Sequence, residues 1–142
     1  MKTTWSSGRG VVELPSGRLV RGRSLRYIAR GESPEFGLYL GARSQAVEWE
    51  HLCLSWPDFG LPCDRAAFTA AVMVAWERAA DERVEVACAG GRGRTGTTLA
   101  CMAIVDGMDP DDAVRFVRAR YDRRAVETPW QKRYVRSFGV LQ

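Results

Sequence analysis

Apolar residues recur at three- and four-residue spacing through Phe68, Ala71, Val72, Ala75, Trp76 and Ala79, the stripe of an amphipathic helix, and Asp64 stands where its N-cap belongs. Upstream the pattern is that of strands. Val11-Val12-Glu13-Leu14 and Arg18-Leu19-Val20 flank the turn residues Pro15-Ser16-Gly17 and predict a hairpin between Gly10 and Gly22. Phe36 to Gly41 predicts another strand, and the stretch from Ala46 to Ser55 ends in the apolar run Leu52-Cys53-Leu54. Val84-Glu85-Val86-Ala87 predicts a short strand leading straight into the glycine-rich segment Gly90 to Gly96. Thr97 to Val105, stopped by Gly107, is apolar nearly all round; with no polar face for water, it should be a helix at the centre of the fold. Asp109-Pro110-Asp111-Asp112 supplies an N-cap, an N1 proline and first-turn carboxylates for a third helix carrying Val114, Val117 and Tyr121, and Thr128-Pro129 opens a fourth in the same manner.

These elements predict an α/β fold with a short, mainly parallel central sheet flanked by helices on both faces. A ligand would sit at the carboxyl end of the strand Val84–Ala87. Residues 1–142 are read as one domain, without internal repeats or a low-complexity linker. With 46% hydrophobic and 27% charged residues the chain has ample material for a core, which argues against disorder. No stretch approaches the roughly 20 apolar residues of a membrane span, and Met1 to Gly10 are polar, so a cytoplasmic monomer is expected. Cys53, Cys63, Cys88 and Cys101 are read as thiols rather than disulfide staples, with Cys53, Cys63 and Cys101 as packing residues and His51 as a strand residue. The net charge of +4 reflects many arginines, notably from Arg115 to Arg136. A solvated helix face and a field attracting anionic substrates both explain them. Nucleic acid is set aside, because neither zinc-ligand spacing nor an aromatic RNA-binding signature accompanies the charge.

One segment carries chemistry. In Cys88-Ala89-Gly90-Gly91-Arg92-Gly93-Arg94-Thr95-Gly96 a Cys and an Arg are separated by five residues, between a predicted strand and the first turn of a helix. Glycines let Ala89 to Gly93 curl with their N–H groups inward, and the helix adds the positive end of its dipole, so the loop forms a nest for a tetrahedral oxyanion. The same field favours a thiolate; cysteine pKa values in such settings fall to within ~3.5–7.5. Arg94 offers a planar fork for two phosphate oxygens. Arg92 reads either as a solvated loop residue or as a second cation for acidic substrates. Gly91, Gly93 and Gly96 also satisfy a dinucleotide-binding fingerprint, but the second strand with an acidic end does not follow; Asp109 to Asp112 opens a helix instead.

A leaving oxygen needs a proton, and Trp56-Pro57-Asp58 offers a carboxylic acid upstream. With both motifs in this order, the chain resembles the protein-tyrosine-phosphatase superfamily, in particular its compact dual-specificity members, from Phe36 onward. The resemblance implies a phosphotyrosine protein phosphatase-like fold and hydrolysis of phosphomonoesters, protein phosphotyrosine or dual-specificity substrates first among them, through a phosphocysteine. It needs no cofactor and no metal. It makes Cys88 the nucleophile, Arg94 the phosphate clamp, Asp58 the general acid and then base, and Thr95 the donor that eases sulfur's departure. Gln131, within Glu127-Thr128-Pro129-Trp130-Gln131, would place the hydrolytic water, although Thr128-x-x-Gln131 is equally a capping box. The chain departs from the family in three places. Ala87 stands where the family has His, Glu127 where many members have Gln, and the stretch from Gly41 to Trp56 is short for the helix and strand usually fitted there. The first departure leaves open an alternative reading, a weak or inactive phosphoryl-binding module.

Overall fold

The computed structural model describes residues 4–41 and 45–138. The elements, in chain order, are β1 (Val11–Glu13), β2 (Leu19–Ser24), a 3-10 turn (Leu25–Tyr27), β3 (Phe36–Leu40), β4 (Glu50–Leu54), α1 (Arg65–Arg78), β5 (Val84–Cys88), α2 (Gly93–Val105), α3 (Pro110–Arg120) and α4 (Pro129–Phe138). The strands form one sheet in the order β1-β2-β5-β3-β4. The expected hairpin pairs β1 with β2 antiparallel, and every other neighbour is parallel. The fold is thus α/β with a mainly parallel sheet. Its middle strand, β5, pairs Val84–Cys88 with Val20–Ser24 on one side and Val84–Ala87 with Phe36–Tyr39 on the other.

Alternation along these strands divides the sheet into two unlike faces. Val20, Leu38, Val84, Val86 and Cys88 join one apolar core with Phe68 and Val72 of α1, Leu99 and Met102 of α2, Val117 of α3 and Phe138 of α4. Among the described residues all four α-helices therefore share this face, rather than flanking both as the sequence pattern suggested. The physical reason lies between β3 and β4. Only residues 41–49 connect them, and a parallel crossover needs a dozen or more residues to carry a helix.

The opposite face is polar and is covered by tryptophans instead. Glu85 is fully buried there, with Arg21 Nη2 and Arg23 Nε each 2.6 Å from its Oε1 and the Tyr39 hydroxyl donating to its Oε2 at 2.9 Å. Trp49 Nε1 donates to the Tyr39 hydroxyl at 2.7 Å. Trp5 Nε1 donates to the Val84 carbonyl at 2.8 Å, while its ring lies under the Arg21 guanidinium. A lone buried carboxylate would cost several kcal/mol; two guanidinium partners and a hydroxyl satisfy it.

The helix signals act as read. Asp64 caps α1 through a bond from the Ala67 amide (3.0 Å), and Asp109 caps α3 through one from the Asp111 amide (2.8 Å), each worth about 1 kcal/mol. Helix α2 begins earlier than its apolar run, at Gly93, and is buried from there to Ile104. His51 is a strand residue beside Tyr39, and Cys101 is buried in the core. Cys63 is exposed, not packed, because it lies in the loop just before Asp64. No disulfide links the four cysteines. No helix among the described residues is long and apolar enough to cross a membrane.

Candidate active site

Cys88 is the last residue of β5, on the helix-bearing face and 2% exposed. Beyond it the chain turns back through Gly91, whose φ of +72° is left-handed and whose absent side chain lets the loop lie against the backbone of Arg23 and Ser24. The turn directs two donors at the Cys88 sulfur: the Gly91 amide at 3.2 Å and the Thr95 hydroxyl at 3.0 Å. Arg92, at the N-cap of α2, makes no side-chain cap bond, so the first amides of that helix are left to whatever occupies the loop.

The outside of the loop is tied down. Ser24 Oγ donates to the Ala89 carbonyl at 2.6 Å, and the Tyr121 hydroxyl donates to the Gly91 carbonyl at 2.5 Å. Thr97 and Thr98 return their hydroxyls to the carbonyls of Gly93 and Arg94, at 2.7 and 2.9 Å. Burial, with Cys88 and Asp122 nearby, pushes the Tyr121 hydroxyl well above the ordinary phenol range. It is therefore a lasting donor at neutral pH. Arg92, in the exposed part of the loop, has its Nε 3.7 Å from Asp122 Oδ2.

Arg94 lies along the inner wall, 5% exposed. Its Nη1 donates to the Trp56 carbonyl at 3.0 Å, its Nη2 is 3.6 Å from Asp58 Oδ1, and its Nε is buried without a partner. A buried, unsatisfied guanidinium nitrogen is costly, and an oxyanion in the loop would satisfy it. Asp58 is at the mouth, with its side chain 60% exposed. Its segment is fixed at both ends: Trp56 packs edge-on against Phe68 and donates to the Gly60 carbonyl at 2.7 Å, and Trp130 Nε1 donates to the Phe59 carbonyl at 2.5 Å.

Gln131 is fully buried and its amide is committed to backbone. Oε1 accepts from the Glu127 amide (2.9 Å) and the Thr128 amide (3.4 Å), while Nε2 donates to the Gly60 carbonyl at 3.1 Å. With the Gln131 amide donating to Thr128 Oγ1 at 3.1 Å, this is the capping box, extended to hold the Asp58 loop. Ala87 is buried on the face away from the sulfur. Among the described residues no three His, Cys, Asp or Glu side chains converge as metal ligands.

The structure therefore brings Cys88, Arg94 and Thr95 of one loop together with Asp58 of a second, separate stretch of chain. Sequence reasoning missed Ser24, Tyr121, Trp130 and Gly41. Of these only Gly41 left a local sign, a glycine at a strand end. Its φ is +72°, and a side chain there would collide with Arg94 Nη1.

Residues 54–136, which contain all of these positions except Ser24 and Gly41, match the family described as "Swiss Army Knife protein, DSP-PTPase phosphatase domain". The chain belongs to this dual-specificity-type phosphatase family. An uncharacterized protein of Methanocaldococcus jannaschii is 35% identical over 78 residues, 55% of this chain and 48% of its own length. Human tyrosine-protein phosphatase non-receptor type 4 is 34% identical over 89 residues, 58% of this chain and 10% of its own length. The chain thus spans about half the length of the archaeal relatives it matches and a tenth of the human one. The fold agrees with the crystal structures of PTPMT1 (TM-score 0.71, 20% identity, covering 92% of this chain and 94% of that one) and of Tk-PTP in its active form (0.72, 21%, 91% and 96%). At these identities the structural likeness concerns the fold alone.

Proposed function

We propose that this DSP-PTPase chain hydrolyses phosphomonoesters through a phosphocysteine. One observation carries the reading: the Cys88 sulfur accepts from Gly91 and Thr95 at the open end of a buried helix, beside a guanidinium with an unsatisfied nitrogen. Two donors aimed at sulfur stabilise a thiolate without help from a histidine. Ala87 removes neither of them, which favours turnover over a binding-only module.

In the first step the thiolate attacks phosphorus, an S–P bond forms, and the P–O ester bond breaks. Asp58 passes its proton to the departing oxygen. The amides of Ala89 to Gly93 and the Arg94 fork hold the three equatorial oxygens as charge builds on them. In the second step water attacks phosphorus, Asp58 takes the water's proton, and the S–P bond breaks to release phosphate. The Thr95 hydroxyl steadies the departing sulfur. Gln131, whose amide is already spent on Gly60, Glu127 and Thr128, acts as a positioning residue for the Asp58 loop. Phe59 and Trp130 are exposed beside Asp58 and give the rim an apolar surface for the leaving group.

The test is release of p-nitrophenol from its phosphate. Cys88→Ser should abolish turnover yet keep tungstate binding, and Asp58→Ala should lower kcat about 10²–10⁴-fold. Turnover by Cys88→Ser at the wild-type rate would exclude the covalent route.

A further inference from the structure

Beside the phosphate loop lies a second concavity, of about 780 Å³, at the end of β2 that β1 leaves unpaired. Arg9, Arg21, Arg23, Arg26, Arg30 and Arg92 line it, and Gly90 and Gly91 form the wall it shares with the loop. The acidic groups at hand are Asp122 in the lining and Glu85 buried beneath Arg21 and Arg23. Six guanidinium groups thus meet two carboxylates, a local excess of positive charge.

The arginines fall into two groups. Arg21 and Arg23 are structural: Glu85 holds both, and Arg23 also donates to the carbonyls of Ile28 and Arg30. Arg30 lies over the Tyr27 ring, and Arg92 faces Asp122. Arg9 and Arg26 are exposed and face no carboxylate within salt-bridge reach among the described residues. Each guanidinium offers a fork matched to phosphate oxygens, and those of Arg9 and Arg26 are not engaged by a carboxylate among the described residues. The volume lies within the range of small-molecule sites. Apart from Gly90, Gly91, Arg92, Tyr121 and Asp122, its lining comes from residues 9–31, outside the stretch matched by the family.

We infer that this cleft binds a second phosphate of the substrate, so that the favoured substrates are compact bisphosphates whose scissile group sits over Cys88. The inference rests on the phosphatase reading for turnover, but not for binding. Gly91 couples the two sites, since its amide donates to the Cys88 sulfur while its other side walls the cleft.

The experiment compares inositol monophosphate with inositol bisphosphate, and the matching pair of short-chain phosphatidylinositol phosphates, for wild type and for Arg9→Ala with Arg26→Ala. Wild type should show kcat/KM at least about tenfold higher for the bisphosphate in one pair or both, and the double variant should bring that ratio near one. An advantage in both pairs assigns recognition to the headgroup; an advantage in the lipid pair alone assigns the source to a lipid. Calorimetric titration of inositol bisphosphate into Cys88→Ser, with and without the two arginine changes, reads the cleft without chemistry. If no phosphate is turned over but this binding is strong and falls at least about tenfold in the arginine variant, the phosphatase reading fails and the cleft stands. A ratio near one in wild type, or affinity unmoved by the arginine changes, overturns the proposal. So does a preference for a singly phosphorylated peptide or an RNA over both bisphosphates.

Discussion

The Tyr121 hydroxyl donates to the Gly91 carbonyl at 2.5 Å, and the amide of the same glycine donates to the Cys88 sulfur at 3.2 Å. A residue at the end of α3 thus fixes a peptide that faces Cys88, the proposed nucleophile. Tyr121→Phe keeps the ring and removes the tie. It should cost about 1 kcal/mol of stability by urea denaturation and lower kcat for p-nitrophenyl phosphate more than it raises KM. An unchanged kcat would mean that the loop holds its shape without the tether.

Gly41 controls Arg94 from the opposite side. A methyl group there would overlap Arg94 Nη1 and the Trp56 carbonyl, at a backbone φ of +72°. Gly41→Ala should weaken vanadate binding and reduce kcat/KM by about a hundredfold, the usual consequence of displacing a clamp by an ångström. The circular dichroism spectrum should be retained. Wild-type affinity for vanadate would show that Arg94 has another seat.

Thiol labelling should separate the cysteines. Cys63 is exposed and the Cys88 sulfur, the proposed nucleophile, accepts two hydrogen bonds, whereas burial pushes the Cys101 thiol well above its ordinary value. Iodoacetamide at neutral pH should modify Cys63 and Cys88 and spare Cys101 in the folded protein, by peptide mass mapping. Vanadate should protect Cys88 alone. Labelling of Cys63 ahead of an unreactive Cys88 would argue against a thiolate nucleophile.

Stability should fall on the alkaline side. Burial raises the Tyr134 hydroxyl to about 12, and Tyr39 and Tyr121 rise further, Tyr39 by burial and the Glu85 charge beside it. All three keep their protons in the folded state at a pH where the unfolded chain loses them. Their contribution is therefore fully present below about pH 10 and lost as pH climbs toward the folded values, at no more than about 1.4 kcal/mol per unit for each group. Cys101 acts with the same sign from about pH 9. Urea midpoints measured from pH 8 to 11.5 should decline, and Tyr134→Phe should flatten the slope. A flat profile in the wild type would show that these hydroxyls ionise without unfolding.

The groups proposed to react were legible in the sequence because such chemistry demands residue types at fixed spacing: a sulfur and a guanidinium on one loop, a carboxyl on another. Strand and helix identities were legible through their periodicities and caps. What converges only by folding was not. Arg9, Arg26 and Arg30 meet Gly90 and Gly91 because β2 lies beside β5, and strand order leaves no trace in local pattern. The helices' choice of one face depended on the short connection between β3 and β4; the brevity of the stretch from Gly41 to Trp56 signalled a missing or replaced element but not what would take its place. Gln131 was ambiguous because one side chain suits both a capping motif and a catalytic loop, and the hydrogen bonds it makes in the structure are those of the capping motif and of the Asp58 loop.

The strand that carries Cys88 is clasped by parallel neighbours on both sides, while the segment bearing Asp58 hangs on a few bonds from Trp56, Trp130 and Gln131. The site is thus an anvil and a hammer: the amides of Val84–Ala87 should exchange with solvent only through global unfolding, and those near Asp58 through local opening. An oxyanion bound as proposed would find its seat already made, and the entropy of ordering would fall only on the few residues around Asp58.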